Sequence, residues 1–534
     1  MIRWRRFVGL MLGIVFLQAL ALVPLHATHT WAVAMPRLSA DLLVVAGIAG
    51  IGALAGWPRL AAYLGSLVLV VATLLRNALE ILPAVFLRPF ELADFAQLPG
   101  LVHLLTVNRT TSQQVLLWSA IGGALLLAFV LAAWSLRAVA ACALVGRGRG
   151  LALLVVQILL VAAYLAPARA WQPSALLQVA DLAVGEVRNR LDPAPEESRL
   201  RARIEAGRVA LAAAPQKPER LAGVDVYVLV VESYGATSLR QPEVAAHFTG
   251  LWQTLRGELE RAGFHGMVGF ASPAIIGGSS WLSHMELFTA VRTDRQRVWE
   301  RVLQTDNPAL PKILRDAGWR TVEVMPAMDR HWPEGQDFYG FDRSATQLEM
   351  PYTGHVYPWG RMPDQFALHW LLHNEVAKVE RPPLFAAFMS VSSHAPWAKT
   401  PPYVADWNLD ANTFAAEPKC QHPTTWLDVP SGKGLVPAYR DGLEYALRTA
   451  VGFTTRLTRP SLVVILGDHQ PPIGWTQEPA DRSFDVPLHV LSNRPELLAP
   501  WGQHGMVEGY VPPAGTPSRP LAEFAPALLR SYAK

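Results

Sequence analysis

The stretch 224–235 reads V-D-V-Y-V-L-V-V-E-S-Y-G. Its centre, 226–231, is a continuous apolar run rich in valine, with no helical period. That is the pattern of a strand buried on both faces. Similar runs recur at 321–325, 384–391, 462–466 and 486–491. Between them, 243–262, 309–317, 364–379 and 439–457 carry apolar side chains at helical spacing. Strands separated by helices predict an α/β domain with a mainly parallel central sheet. In such sheets ligands sit beyond the carboxyl ends of the strands. The polar residues that follow each run are therefore the candidates for chemistry.

The first run ends in Glu232-Ser233-Tyr234-Gly235, which places a carboxylate on that rim. The run at 462–466 ends in Gly467-Asp468-His469-Gln470-Pro471. An adjacent Asp and His offer one hard oxygen and one imidazole, a pair that suits zinc or manganese. The run at 384–391 ends in Ser392-Ser393-His394-Ala395-Pro396. Another segment reads Gly277-Gly278-Ser279-Ser280-Trp281-Leu282-Ser283-His284 and leads into an apolar helical pattern. A serine at a helix N-terminus lies where free N–H groups favour anions; a plain helix cap by Ser279 or Ser280 is the structural alternative. Together these ends supply a carboxylate, a hydroxyl, an Asp–His pair and a second His. Those are the parts for metal-assisted nucleophilic attack on a phosphorus or sulfur ester. His394 would protonate a leaving alkoxide. No G-x-S-x-G, Walker loop or H-E-x-x-H occurs.

N-terminal to this domain the chain changes character. Five apolar stretches of near membrane-spanning length fall at 7–25, 41–57, 60–75, 115–134 and 151–166. A bilayer core takes about 20 apolar helical residues. Arg3, Arg5, Arg6, Arg59, Arg137, Arg147 and Arg149 fall on one side, without acids. Asp41, Glu80, Glu91 and Asp94 share the other side with Arg37, Arg76, Arg88 and Arg109. The positive-inside rule then puts the N-terminus in the cytoplasm and everything after the fifth span outside it. The first stretch reads as a retained anchor rather than a cleaved signal. The segment 76–114 reads as a long semi-apolar outer stretch lying in the membrane interface under the soluble domain, and 176–187 as an amphipathic helix lying on the membrane or packed on the soluble domain. The expected organisation is a five-helix anchor over 1–166, a juxtamembrane linker over 167–222 and a catalytic domain over 223–534.

The chain of 534 residues is 51% hydrophobic and 17% charged, which excludes a disordered protein. Its net charge of +4 is not a nucleic-acid footprint. The anchor holds 11 of the 47 Lys and Arg but only 4 of the 43 Asp and Glu. The two cysteines, Cys142 and Cys420, fall on opposite sides of the membrane in this topology. No disulfide scaffold and no multi-cysteine metal site is possible.

At the rim residues the chain resembles the alkaline phosphatase and sulfatase superfamily. Within it, the chain is similar to the membrane-anchored branch of lipoteichoic acid synthase, phosphoglycerol transferases and phosphoethanolamine transferases. The resemblance runs from Val224 to about Ser492. It implies that Glu232, Ser280, Asp468 and His469 hold one divalent metal, zinc or manganese. It also implies that Ser280 is the nucleophile and His394 the substrate-side histidine. The family spacing to Thr289-Ala290 selects Ser280 over its neighbour Ser279, which stays the alternative. His284 stands where many members have Glu, and Ser280 where most have Thr. Trp359-Gly360-Arg361-Met362-Pro363-Asp364 resembles, with one extra residue before the Asp, a W-G-x-x-D segment whose Trp and Arg line the headgroup site. Trp359, Arg361, His284 and Ser279 are thus the substrate-side residues.

The resemblance implies transfer of phosphoglycerol or phosphoethanolamine from a membrane phospholipid to a periplasmic glycan or lipid. The chain would sit in a bacterial inner membrane with its catalytic domain in the periplasm. Cys420-Gln421-His422-Pro423-Thr424 does not fit the C-x-P-x-R motif of true sulfatases. His489 and Asp485 are candidates for a second metal. The absence of an internal disulfide in the outer domain favours the phosphoglycerol type. Two rivals stay open: a phosphodiesterase or phosphatase with the same site, and a non-catalytic membrane subunit of a polysaccharide complex.

Overall fold

A computed structural model describes residues 12–13, 15–21, 38–86, 90–92, 95, 111–143, 171–172, 174–191, 194–357, 362–410, 412–416, 422, 434–471 and 483–534. The chain forms two compact units, one over 1–84 and 88–193, the other over 85–87 and 194–534.

In the first unit a two-residue strand β1 (Leu38–Ser39) leads into α1 (Ala40–Leu54). Helices α2 (Pro58–Phe86) and α3 (Thr111–Ala143) follow. Strand β2 (Trp171–Gln172) pairs in parallel with β1 and precedes α4 (Ala175–Leu191). Among the described residues two helical segments are long and apolar enough to cross a membrane, Pro58–Glu80 and Thr111–Ala138; Ala40–Ala49 is apolar but shorter. The expected third span is therefore longer than its apolar run, because α2 continues through Arg76 to Phe86. Residues of the first expected span are helical where described, and the fifth lies outside the described residues. The acid in α1 has a local explanation. Asp41 accepts hydrogen bonds from the Ala175 and Leu176 N–H groups (3.1 and 3.2 Å) and from Ser174, so it caps α4. Along α4, Leu177, Val184 and Val187 are more than half exposed, an unpacked apolar stripe.

The second unit opens with α5 (Ala194–Ala212) and β3 (Asp225–Val231). Then come α6 (Pro242–Arg261), β4 (His265–Ser272), α7 (Ser280–Thr289), α8 (Gln296–Leu303), α9 (Leu310–Asp316) and β5 (Arg320–Val324). After α10 (Pro333–Tyr339), β6 (Arg343–Ala345), α11 (Asp364–Leu371) and β7 (Leu384–Met389) comes α12 (Leu435–Thr454). The chain ends with β8 (Ser461–Gly467), β9 (Val486–Ser492), β10 (Val507–Glu508), β11 (Ser518–Pro520) and α13 (Phe524–Ser531).

The strands form one sheet in the order β10-β4-β9-β8-β3-β7-β5-β6, with β11 paired to β4. The run β8-β3-β7-β5-β6 is parallel, as the strand–helix alternation predicts. Strand β9 is antiparallel to both β8 and β4, so the sheet is mixed at that side. Side chains of β3 alternate between two cores. Val226, Val228 and Val230 join α5, α7, α9 and α13, while Tyr227, Leu229 and Val231 join α6, α11 and α12. A strand covered on both faces needs apolar residues at every position, which is why the run is continuous.

Register sets the rim. Val231 stands opposite Gly467, and Val230 opposite Met389. Strands β3, β8 and β7 therefore end nearly level, and Glu232, Asp468 and Ser390 emerge side by side.

Candidate active site

Glu232 leaves β3 as a buried carboxylate. Its N–H donates to Ser390 Oγ (2.9 Å) and its carbonyl accepts from Ser393 Oγ (2.7 Å). The loop after β7 thus pins it from below. Oε1 accepts from Ser233 Oγ, and Oε2 accepts from Ser280 Oγ, each at 2.9 Å.

Asp468 arrives from β8. Its Oδ1 accepts the N–H groups of Ser233 and His469 (2.8 and 2.7 Å). Its carbonyl accepts from Ser283 Oγ at 2.7 Å, which ties α7 to this strand end. A Cβ on Gly467 would meet the Tyr234 carbonyl oxygen at 1.9 Å, so only glycine lets the two strand ends approach this closely. His469 donates from Nδ1 to the Gln470 carbonyl (2.8 Å). Its Nε2 lone pair is then directed at the cluster: Ser280 Oγ at 3.2 Å, Asp468 Oδ2 at 3.4 Å and Glu232 Oε1 at 3.5 Å.

Ser280 is the first residue of α7. Ser279 before it adopts φ 64° and its side chain makes no capping hydrogen bond. The plain-cap alternative is therefore absent for Ser279. Ser233, next to Glu232, and Trp397, next to the His394 loop, also adopt positive φ (both 58°). Backbone strain of this kind gathers at functional sites.

The donor set fits one divalent cation. One atom each of Glu232, Asp468 and His469 lie within 4.8 Å of one another, the single such cluster among the described residues. Among those residues no Lys or Arg pairs with either carboxylate. Burial, then the neighbouring Glu232, pushes Asp468 up to about 7. His469 is raised, because Asp468 and Glu232 outweigh the opposing effect of burial. Two buried acids that repel each other are stabilised by a cation placed between them.

His284 lies one turn after Ser280 and is half-buried. Burial holds it down to about 4, with Asp468 opposing. His394 is likewise lowered to about 4 by burial. Its Nδ1 lies 2.8 Å from the Ala395 carbonyl, which can only accept. Nδ1 therefore carries the proton and Nε2 the lone pair. In this tautomer Nε2 is the nitrogen that exchanges a proton with a bound group.

Trp359 and Arg361 lie outside the described residues, as does Cys420. Asp364 near them is fully buried. It accepts the N–H groups of Val391 and Ser392 (2.9 and 3.0 Å) and so holds the loop that bears His394. Sequence reading assigned no role to Asp364, Ser390, Ser393 or Ser283; only Asp364 carried a signal, as the last residue of the W-G segment. The second-metal candidates are not at the site. His489 Nε2 bonds Tyr234 Oη (2.9 Å) and its ring stacks on Trp252 at 4.1 Å. Asp485 pairs with Arg240 at 2.7 Å.

No family model and no curated protein matches the chain. Solved structures do. Phosphoethanolamine transferase A (EptA), an integral membrane protein of Neisseria meningitidis, is 13% identical, covering 93% of this chain and 96% of that one, with a TM-score of 0.44. Lipoteichoic acid synthase LtaP of Listeria monocytogenes is 13% identical over 60% of this chain and 77% of that one (TM-score 0.37). Phosphoglycerol transferase GacH of Streptococcus pyogenes is 13% identical over 63% of this chain and 91% of that one (TM-score 0.35). At these identities and scores the roles of individual residues rest on the geometry above.

Proposed function

We propose that this chain is a membrane-anchored, metal-dependent transferase. It would move a phospho-alcohol headgroup, phosphoglycerol or phosphoethanolamine, from a membrane phospholipid to an envelope glycan or lipid. Residues 1–166 would anchor it in a bacterial inner membrane, 167–222 link, and 223–534 face the periplasm. The observation that carries this reading is Ser280 Oγ, held 2.9 Å from Glu232 and 3.2 Å from His469 at the start of a helix.

Zinc or manganese bound by Glu232, Asp468 and His469 would lower the pKa of the Ser280 hydroxyl and neutralise phosphate charge. Ser280 Oγ forms the bond to phosphorus as the ester bond to diacylglycerol breaks. The serine's proton ends on the diacylglycerol oxygen. An acceptor hydroxyl then attacks the phospho-serine, and its proton returns to Ser280 Oγ. His394, with its Nε2 lone pair, is the base for that hydroxyl. His284, Ser279, Trp359 and Arg361 take the headgroup side.

The test uses the full-length protein with headgroup-labelled phosphatidylglycerol and phosphatidylethanolamine. We expect diacylglycerol release and a labelled peptide containing Ser280 for one of them, both lost in Ser280→Ala and after chelation. Wild-type release by Ser280→Ala would refute the nucleophile.

A further inference from the structure

Away from the rim, two imidazoles lie against each other. Helix α11 runs on into a π turn, Leu372–Val376, closed by the Ala377 N–H bonding the Leu372 carbonyl at 2.9 Å. In an α-helix, residues four apart are offset by about 40° around the axis. A π turn is wider, so it brings such residues closer to eclipsed. His369 and His373 straddle the change. Their ring centroids are 4.2 Å apart, with planes inclined by 56°.

The π turn is fixed from its other face. Glu375 is buried and accepts from Arg320 (2.7 and 3.0 Å), Arg343 (3.0 Å) and Lys378 (3.1 Å). The Arg343 guanidinium in turn covers the Trp370 ring at 4.8 Å. The helix cannot rotate back without breaking these contacts, so the pairing of the two histidines is built in.

His369 is half-buried and His373 exposed. Neither ring has a hydrogen-bond or ion-pair partner among the described residues. Burial, then the second ring, holds His369 down to about 4, so it keeps a lone pair at neutral pH. Two imidazoles one turn apart on a helix face make a bidentate nitrogen ligand, as in the H-x-x-x-H pairs of metal-binding helices. Nitrogen donors of this type suit borderline divalent ions.

We propose that His369 and His373 form a second metal site, for a divalent transition ion such as copper, nickel or zinc, with the remaining positions open to water. It is separate from the Glu232, Asp468 and His469 cluster and does not depend on the proposed activity.

The experiment titrates Cu2+ into the full-length protein, free of any affinity tag, and reads stoichiometry by calorimetry and ligand nitrogens by electron paramagnetic resonance. Wild type is expected to bind one more equivalent than His373→Ala. In an Asp468→Ala background, which weakens the catalytic cluster, the copper spectrum is expected to show two coupled nitrogens. That signal is lost when His373→Ala is added. His373 is exposed, so this variant keeps its fold, and an unchanged melting curve verifies it. Equal stoichiometry in wild type and His373→Ala, or a two-nitrogen signal that survives the substitution, overturns the proposal.

Discussion

At Ser279 the backbone enters the left-handed region immediately before Ser280 begins its helix. An L-residue there costs about 1–2 kcal/mol. The Ser279 hydroxyl does not repay this by capping the helix. Glycine adopts the conformation freely but loses about 0.5–1 kcal/mol of unfolded-chain entropy. The balance predicts that Ser279→Gly stabilises the folded protein by roughly 0.5–1 kcal/mol. Denaturant unfolding checks it, and a destabilised variant would show that the strain is not there. The same φ separates two adjacent serines that side-chain chemistry could not separate in the sequence. Glu232, Asp468 and His469 were readable because each ends an apolar run. Ser393 was not, nor was the anchoring role of Asp364, because their partners stand 161 and 27 residues away. Such contacts exist only once the strands are in register.

Among elements, the parallel strands were legible and the antiparallel side was not. Strand β9 has the same apolar composition as β8, and nothing in such a run states its direction. Strand β4 (HGMVGFAS) escaped reading because two glycines and a terminal histidine interrupt its apolar pattern. The π turn was hidden as well, since its apolar spacing continues that of α11. Its anchor gives a pH prediction. Burial alone would raise Glu375, but hydrogen bonds from Arg320, Lys378 and Arg343 outweigh it and hold the group at about 2. A depressed carboxylate stabilises the fold above its unfolded value, about 4.3, and loses that contribution as pH falls towards 2. Glu375→Gln is therefore expected to cost about 2 kcal/mol at pH 7, allowing for partly exposed partners. The cost should shrink steadily below about pH 4. Melting temperatures of both proteins between pH 7 and pH 3.5 test this; a gap independent of pH would mean that the ion pairs are not its source.

For the whole molecule, the charge ledger carries more than the net value of +4. The first 166 residues hold 11 basic and 4 acidic side chains, and the rest of the chain is slightly acidic. Basic residues crowd at the ends of apolar stretches, and in the topology expected from the sequence all four acids of that half fall on the opposite side from Arg3, Arg5 and Arg6. Asp41 shows why an acid is tolerated there: it is spent on capping α4 rather than left bare in an apolar helix. Two long apolar helices are seen among the described residues, Pro58–Glu80 and Thr111–Ala138. The number of crossings decides where the site works, because an even count would return Ser280 to the cytoplasm. The lysine and arginine bias predicts an odd count independently of counting helices. With an odd count, a reporter that is active only outside the cytoplasm should be active when fused after Lys534 and inactive when fused after Arg147. A cytoplasmic reporter should give the opposite pattern. Activity of the first reporter after Arg147 would reverse the anchor and, with it, remove the site from the lipid headgroups and glycans of the outer face.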